Sequence, residues 1–144
     1  MILAVLDANV FVSAALSPKG TPATILTAWR AERFQLLISP AILAEIHRVF
    51  HYPKVSARHR WPEEDLRLFI EDLARLAILT PGEHTLRVIA EDPSDNRYLE
   101  CAVEGNADYV VTGDQHLLRL GTYLRVRILT PREFLGVLAF RQSR

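Results

Sequence analysis

The stretch Ile2-Leu3-Ala4-Val5-Leu6-Asp7 is a continuous apolar run that ends at a carboxylate. An unbroken run of this length is typical of a strand that is buried on both faces, as in a parallel sheet. The stretch Tyr109-Val110-Val111-Thr112 repeats the pattern, and Gly113 and Asp114 follow it. Helical periodicity and short apolar runs alternate between and beyond these two stretches. The sequence therefore predicts an α/β fold of three layers (α/β/α), in which helices cover both faces of a central, mainly parallel five-stranded sheet.

The individual elements follow from helix caps, prolines and apolar spacing. Strands are predicted at Ile2 to Leu6, Phe34 to Ile38, Ala77 to Thr80, Asp108 to Thr112 and Val126 to Leu129. Helices are predicted at Ala8 to Leu16, Thr21 to about Arg33, Ala41 to Phe50, Glu63 to Leu76, about Asp95 to Glu104, His116 to Arg119 and from Pro131 onward. The segment Pro53 to Pro62 is predicted to be a cationic connection, and residues 141–144 a polar tail.

Composition limits the class of protein. The chain has 144 residues, 49% of them apolar, which is enough for one domain, residues 1–144, with a sizeable core. Lys and Arg (17) balance Asp and Glu (17), and a zero net charge argues against a strongly basic nucleic-acid-binding module, although a local basic patch stays open. Cys101 is the single cysteine, so one chain can form neither a disulfide nor a Cys-based zinc site, which fits a reducing cytoplasm. No apolar run approaches the length of a membrane span.

Four carboxylates lie where such a fold would gather them: Asp7, Glu45, Asp95 and Asp114. Asp7 and Asp114 follow the first and fourth strands, and ligands of open parallel sheets bind beyond the carboxyl ends of the strands. Asp95 begins the helix that leads to the fourth strand, and Glu45 shares the apolar face of its own helix. Each acid alone could be a helix cap, a turn residue or a surface charge. Together they repel one another unless a cation lies between them, and such hard oxygen ligands favour Mg²⁺ or Mn²⁺.

Three motifs resemble those of PIN-domain ribonucleases. They are Val5-Leu6-Asp7-Ala8-Asn9-Val10-Phe11-Val12-Ser13-Ala14, Glu91-Asp92-Pro93-Ser94-Asp95-Asn96-Arg97-Tyr98-Leu99-Glu100-Cys101-Ala102 and Ala107-Asp108-Tyr109-Val110-Val111-Thr112-Gly113-Asp114-Gln115-His116-Leu117-Leu118. The closing Ile128-Leu129-Thr130-Pro131-Arg132-Glu133-Phe134-Leu135 is similar to the last strand and helix of that family. The resemblance spans essentially the whole chain and is strongest for the bacterial branch labelled as toxins of type II toxin–antitoxin systems, the VapC-like proteins.

The resemblance implies an enzyme, a divalent-metal-dependent endoribonuclease that hydrolyses RNA phosphodiester bonds. The family's catalytic acids, which also bind one or two Mg²⁺ or Mn²⁺ ions, carry over as Asp7, Glu45, Asp95 and Asp114. Asp7 and Asp114 are the expected direct ligands, while Glu45 and Asp95 complete the site or orient the attacking water. Asp92 is a further acid that could serve as an alternative ligand. The polar positions that support the acids match Asn9, Ser13 and Thr112. The resemblance also implies an antitoxin partner and a homodimer.

RNA must also be held by its backbone, which requires cations. Arg48, Lys54, Arg58 and Arg60 cluster near the helix that carries Glu45 and are candidate phosphate contacts. Tyr52 or Trp61 could stack on bases; in the alternative interpretation the segment is a solvated connection and Trp61 packs onto the core. Candidate contacts of an antitoxin are Trp29, Phe50, Trp61 and Phe69, although large apolar residues at helical spacing are most often core residues.

The histidines and the cysteine are interpreted as structural. His47 and His51 share an i, i+4 helical face that could bind zinc, but the Glu of a His-Glu-x-x-His motif is absent, so packing is favoured. His116 shows no metal-ligand pattern. Cys101 lies on an apolar helix face and is interpreted as a small core residue.

Two other functions stay open. A haloacid-dehalogenase-like phosphatase also has an Asp after its first strand, but it needs a second acid two residues later, where this chain has Asn9. It also needs a lysine, and Lys19 and Lys54 are poorly placed to supply it. A non-catalytic RNA- or partner-binding module would keep the acids for structure, bind metal weakly or not at all, and cleave nothing. No glycine-rich phosphate loop is present, which argues against a P-loop nucleotide-binding protein.

Overall fold

The computed structural model describes residues 1–142 and confirms the α/β fold. Its sheet contains β1 (Leu3–Leu6), β2 (Gln35–Ile38), β3 (Ile78–Leu79), β4 (Tyr109–Val111), β5 (Thr122–Tyr123) and β6 (Val126–Leu129). The strand order is β3-β2-β1-β4-β6-β5, and every pairing except that of β5 with β6 is parallel. The helices are α1 (Ala8–Leu16), α2 (Thr21–Arg30), α3 (Pro40–Phe50), α4 (Pro53–His59), α5 (Glu63–Leu76), α6 (Asn96–Glu104), α7 (Gln115–Leu120) and α8 (Pro131–Gln142), and a 3₁₀ turn (Pro93–Asp95) precedes α6.

The central strands form because their side chains are apolar on both faces. Val5 of β1 pairs with Leu37 of β2 on one side and with Val110 of β4 on the other, and all three are buried. The chain moves from β1 to β2 to β3 in one direction across the sheet and from β3 to β4 in the other. Right-handed crossovers therefore place helices on both faces, which gives the predicted three layers.

Within residues 1–142 the sheet has one strand more than the five that the sequence predicts. β5 is two residues long and pairs with β6 through Tyr123 and Val126, and Leu124 in the turn between them has a positive φ of 54°. Such a short edge strand has no apolar run of its own, so periodicity gives no signal for it.

The helix α4 lies in the segment Pro53 to Pro62, where the prediction of a connection is wrong. Pro53 occupies the first turn, where its missing N–H costs nothing, and Arg60 ends the helix with a left-handed φ of 57°. None of the residues of α4 is fully buried, so the helix lacks the apolar stripe that would reveal it in the sequence.

The end of the chain also differs from its prediction. Because α8 continues to Gln142, the predicted polar tail, residues 141–144, begins inside a helix. Residues 143 and 144 lie outside the described part of the chain. No helix within residues 1–142 has both the length and the apolar character needed to cross a bilayer.

The carboxyl ends of β1 and β4 lie side by side in the middle of the sheet. The N–H of Asp7, directly after β1, donates to the carbonyl of Val111, the last residue of β4, at 3.0 Å. The residues that follow these two strands therefore converge on one edge, as the sequence predicts.

Candidate metal centre

Asp7 is held by two hydrogen bonds at the start of α1. Its side chain is 3% exposed, although it lies at the rim of the sheet. Oδ1 accepts from the backbone N–H of Asn9 at 3.0 Å, as a helix cap does, and Oδ2 accepts from Oγ1 of Thr112 at 2.7 Å. The carboxylate thus has a fixed orientation before any ligand binds.

Thr112 connects Asp7 to Asp114. The threonine is fully buried, and its Oγ1 also accepts from the backbone N–H of Asp114 at 3.0 Å. Asp114 caps α7, because its Oδ1 accepts from the N–H groups of His116 at 2.8 Å and Leu117 at 3.3 Å. One hydroxyl therefore contacts both the carboxylate of Asp7 and the backbone of Asp114, and the supporting role of Thr112 stays a prediction.

Asp95 is the third acid of this edge and the one least compensated by hydrogen bonds. It is 6% exposed, and its Oδ2 is buried without a hydrogen-bond partner among the described residues. Burial, followed by the negative charges of Asp114, Asp92 and Asp7, raises the pKa of Asp95 to about 7. Asp92 is close enough to act on Asp95 by its charge, and its own Oδ1 caps the 3₁₀ turn by accepting from the N–H of Ser94 at 3.2 Å.

His116 joins this cluster, contrary to the interpretation that it has no ligand role. One ligand atom from each of Asp95, Asp114 and His116 lies within 4.8 Å of the others. The Nδ1 atom of His116 is buried, has no hydrogen-bond partner among the described residues, and lies 3.7 Å from Oδ1 of Asp114. Asp95 and His116, each of which has a buried ligand atom without a hydrogen-bond partner among the described residues, thus belong to one group. The signal that sequence reasoning missed is the position of His116 in the turn that Asp114 caps.

The unpartnered oxygen and nitrogen are what a cation site requires. A buried carboxylate without a positive partner is costly, and three aspartates near one another raise that cost. The donor set, carboxylates with one imidazole, fits a divalent first-row metal such as Mn²⁺ and also accepts Mg²⁺.

Glu45 lies on the predicted helix, α3, but its carboxylate pairs with two arginines. Its carboxylate is 18% exposed and pairs with Arg97 at 3.0 Å and with Arg48 on its own helix. Glu45 belongs to neither group of potential metal ligands found among residues 1–142. Arg97 lies two residues beyond Asp95 in the chain, and Glu45 fixes its guanidinium. Sequence reasoning did not single out Arg97.

The helix α6 positions Asp95 through a row of acceptors, Asn96, Glu100 and Glu104, spaced four residues apart and here called the acceptor row. Oδ1 of Asn96 accepts from the N–H groups of Val88 and Ile89 at 3.0 and 2.8 Å. The Glu100 carboxylate accepts from the N–H of Leu86 at 2.8 Å. Because the segment before Asp92 has no strand or helix of its own, these bonds replace the missing backbone pairing.

Glu104, the last residue of α6, is the member of the acceptor row that lies farthest along the chain from Asp95. Its carboxylate accepts from the N–H groups of Gly82 at 2.7 Å and Glu83 at 2.8 Å, and contacts Nδ1 of His84 at 2.9 Å. Burial opposes its charge, but these bonds from His84, Gly82 and Glu83 prevail and lower the pKa of Glu104 to about 2. The Glu104 carboxylate is therefore ionised over the whole physiological pH range.

Tyr98 is a supporting residue that the sequence identified only as an inward-facing one. Its hydroxyl accepts from the backbone N–H of Ala8 at 3.2 Å. Burial and then the charge of Asp7 raise the pKa of Tyr98, so the phenol stays neutral beside the carboxylate. By contrast, the side chains of Asn9 and Ser13 are exposed. Asn9 contacts the Asp7 carboxylate through its backbone N–H and not through its side chain. Their supporting role stays a prediction.

Three of the four predicted RNA-binding cations lie on α4 or directly after it, and Arg48 lies on α3. Lys54, Arg58 and Arg60 are exposed, whereas Arg48 already pairs with Glu45. Trp61 is half-buried, with its ring centroid 5.4 Å from that of Phe69, which supports the alternative that it packs onto the core.

Of the other aromatic residues and the cysteine singled out in the sequence, some are buried in the core and one is exposed. Trp29 is 8% exposed and Phe50 is fully buried, so they are core residues, and their prediction as partner contacts is wrong for this conformation. Tyr52, at 46% exposure, remains available for stacking. Cys101 is buried as predicted, and burial raises its pKa to about 11, so it is no nucleophile.

Comparison with known proteins agrees with this geometry. A family model described as PIN domain matches residues 4–116, a range that includes Asp7, Glu45, Asp95 and Asp114. The chain is also similar to the uncharacterized protein MJ1680 of the archaeon Methanocaldococcus jannaschii. The two are 30% identical over 142 residues, which cover 93% of this chain and 90% of the relative.

Proposed function

The chain belongs to the PIN domain family, whose members are in general metal-dependent nucleases, and from that premise we propose that it is a divalent-metal-dependent endoribonuclease. The observation that carries the proposal is the buried Asp95, whose Oδ2 has no partner among the described residues, which forms one group of potential ligands with Asp114 and His116, and on which the charge of Asp7 also acts. A buried carboxylate oxygen that no N–H group approaches is a position where a cation would bind.

The proposed ligands are Asp7, Asp95 and Asp114, with His116 as a nitrogen ligand and Asp92 as an outer acid. Glu45, which the resemblance counts among the acids, would act through its ion pair with Arg97 instead of binding the ion directly. One or two ions, Mn²⁺ or Mg²⁺, would bind here. Because imidazole is a better ligand for Mn²⁺ than for Mg²⁺, His116 favours Mn²⁺ at this position.

A bound cation would neutralise part of the negative charge that gathers on the phosphate. It would also lower the pKa of a bound water molecule. The side chains of the protein do the rest. Thr112 keeps Asp7 and Asp114 in fixed relative positions, and the acceptor row keeps Asp95 against them. The guanidinium of Arg97, held by Glu45, and the exposed Lys54, Arg58 and Arg60 would contact phosphate oxygens.

The test is cleavage of a labelled, structured RNA by the purified protein and by Asp7→Asn, each with Mn²⁺, Mg²⁺ or EDTA. Cleavage should require the metal, and Asp7→Asn should reduce it by about a hundredfold or more, since the loss of even an outer-shell partner typically costs 10–100-fold. The exposed Asp65→Asn is the matched control and should keep wild-type activity.

Two results would reject the assignment. Cleavage that persists in Asp7→Asn would mean a contaminant or a different active site. No cleavage by either protein, together with no metal-induced rise in melting temperature, would favour the alternative of a non-catalytic RNA- or partner-binding module.

The role as the toxin of a toxin–antitoxin pair is a further proposal that rests on motif resemblance alone. It predicts that induced expression arrests growth, that Asp7→Asn relieves the arrest, and that the product of a neighbouring gene binds the protein and suppresses its activity. The homodimer, the cytoplasmic location and the bacterial branch likewise stay predictions, and light scattering of the purified chain tests the first.

A further inference from the structure

A second cluster of potential metal ligands lies at the junction of α3 and α5. His47 and His51 are one helical turn apart near the end of α3, and Glu63 is the first residue of α5. One ligand atom from each lies within 4.8 Å of the others, and the two imidazole ring centroids are 4.3 Å apart. All three side chains are exposed, so an ion can reach them from solvent.

The hydrogen bonds of His51 determine which of its nitrogens carries a proton. Nδ1 lies 2.7 Å from the backbone carbonyl of His47, which can only accept, so Nδ1 carries the hydrogen. In the neutral ring Nε2 then has a free lone pair. A carbonyl bound to the other ring nitrogen is the arrangement that fixes the tautomer of metal-binding histidines.

Nε2 of His51 faces another acceptor. It lies 2.8 and 2.9 Å from the two carboxylate oxygens of Glu63. A lone pair and a carboxylate this close need a cation between them, which is either a proton on His51 or a metal ion. The carbonyl of His47 and then the carboxylate of Glu63 raise the pKa of His51, so an imidazolium–carboxylate pair is the competing explanation.

The position of His47 distinguishes these explanations. An ion pair needs only His51 and Glu63, whereas the His47 ring, one turn away on the same face, completes a set of three ligands. Two imidazoles and one carboxylate, with a position left for water, are a common donor set for zinc in proteins. We propose that His47, His51 and Glu63 form a Zn²⁺ site separate from the aspartate centre.

The proposed site would connect the end of α3 to the start of α5. The segment between these helices contains α4 and the exposed cations Lys54, Arg58 and Arg60. A metal ion that joins His51 to Glu63 closes this segment into a loop and reduces the number of open conformations it can adopt. The site would therefore act as a clip that orders the cationic segment, whether or not the protein is a nuclease.

The first experiment measures Zn²⁺ binding to the full-length protein by calorimetry, with excess Mg²⁺ present to compete at the aspartates. Visible absorption of Co²⁺ in place of zinc reports nitrogen coordination. One equivalent should bind in the wild type and in Asp7→Asn, while His47→Gln should weaken binding at least about tenfold. Gln35→Ala, which removes an exposed polar side chain from β2, is the control and should bind normally.

His47→Gln is the decisive variant because it leaves the contact of His51 with Glu63 intact. If that contact is only an ion pair, Zn²⁺ will not bind with one-to-one stoichiometry, and the proposal fails. Binding that is lost in Asp7→Asn but kept in His47→Gln would assign the zinc to the aspartates and would also overturn it.

A second readout tests the clip. Zn²⁺ should slow tryptic cleavage after Lys54, Arg58 and Arg60 in the wild type and leave the rate unchanged in His47→Gln. Tight binding without such protection would contradict the ordering role. Neither experiment depends on RNA cleavage, so failure here and failure of the nuclease proposal can be told apart.

Discussion

His116 provides the sharpest test of the aspartate centre at the scale of single residues. Its buried Nδ1 has no hydrogen-bond partner among residues 1–142 and lies 3.7 Å from Oδ1 of Asp114. His116→Ala should lower the affinity for Mn²⁺ by about tenfold and the affinity for Mg²⁺ by less, because imidazole discriminates between the two. Calorimetry with each metal gives the ratio of affinities.

An electron spin echo measurement on bound Mn²⁺ gives an independent readout for His116. The wild type should show coupling to a directly bound ¹⁴N nucleus, and His116→Ala should lose it. Gln35→Ala, which removes an exposed amide from β2, serves as the control and should keep the signal. An unchanged ratio of affinities with no nitrogen coupling in the wild type would remove His116 from the ligand set.

The sequence was sufficient for the residues whose position follows directly from a strand end. Asp7 and Asp114 were predicted because the carboxyl ends of adjacent parallel strands meet. The pairing of Glu45 with Arg97 could not be predicted, because the residues are 52 positions apart and the geometry of α3 against α6 decides it. The proximity of His116 to Asp95 and Asp114 was missed because a histidine in the first turn of a short helix most often faces solvent.

The acceptor row is the feature of α6 that most affects the aspartate centre. Asn96 is 5% exposed; it accepts from two N–H groups and donates to the carbonyls of Ile89 and Pro93, both at 3.1 Å. Asn96→Ala leaves these buried backbone groups without partners, and we expect the free energy of unfolding to fall by about 2–4 kcal/mol. Urea unfolding measures the change.

The same substitution should also weaken metal binding. The segment that Asn96 holds leads directly into Asp92 and Asp95, so the rise in melting temperature caused by Mn²⁺ should be smaller in Asn96→Ala than in the wild type. Gln35→Ala removes an exposed amide from β2 and is the control for both measurements. Wild-type stability in Asn96→Ala would show that the acceptor row does not order the segment.

At the scale of elements, the sequence predicted those helices and strands whose apolar residues recur at a regular spacing. The apolar runs of the central strands and the stripe of α5 were sufficient, whereas α4 and β5 bury too little to leave a pattern. The acceptor row illustrates the limit, since Asn96, Glu100 and Glu104 do share one helical spacing. Their partners between Gly82 and Ile89 have no periodicity, so only the folded chain brings the two together.

At the scale of the whole molecule, the ends of β1 and β4 and the start of α6 bring aspartates to one edge of the sheet. This arrangement lowers the free energy of unfolding by an amount that depends on pH. The ordinary pKa of Asp95 is 3.8, and burial together with the neighbouring aspartates raises it to about 7 in the folded protein. Below about pH 4 the carboxyl is protonated in both the folded and the unfolded chain. Between these values only the folded chain keeps the proton, so the stability contributed by Asp95 is lost as pH rises to about 7 and is constant above it.

Asp95→Asn should therefore stabilise the metal-free protein at about pH 8, by on the order of 2–4 kcal/mol, and should have little effect at about pH 4. Mn²⁺ at about a thousand times its Kd should reverse the order at about pH 8, because a ligand that binds only the folded state then stabilises the wild type by about 4.1 kcal/mol. Unfolding in urea with EDTA or Mn²⁺, with Asp65→Asn as the control, measures both effects. A variant less stable than the wild type in EDTA would mean that Asp95 has a structural partner, and the argument for a cation at this edge would fail with it.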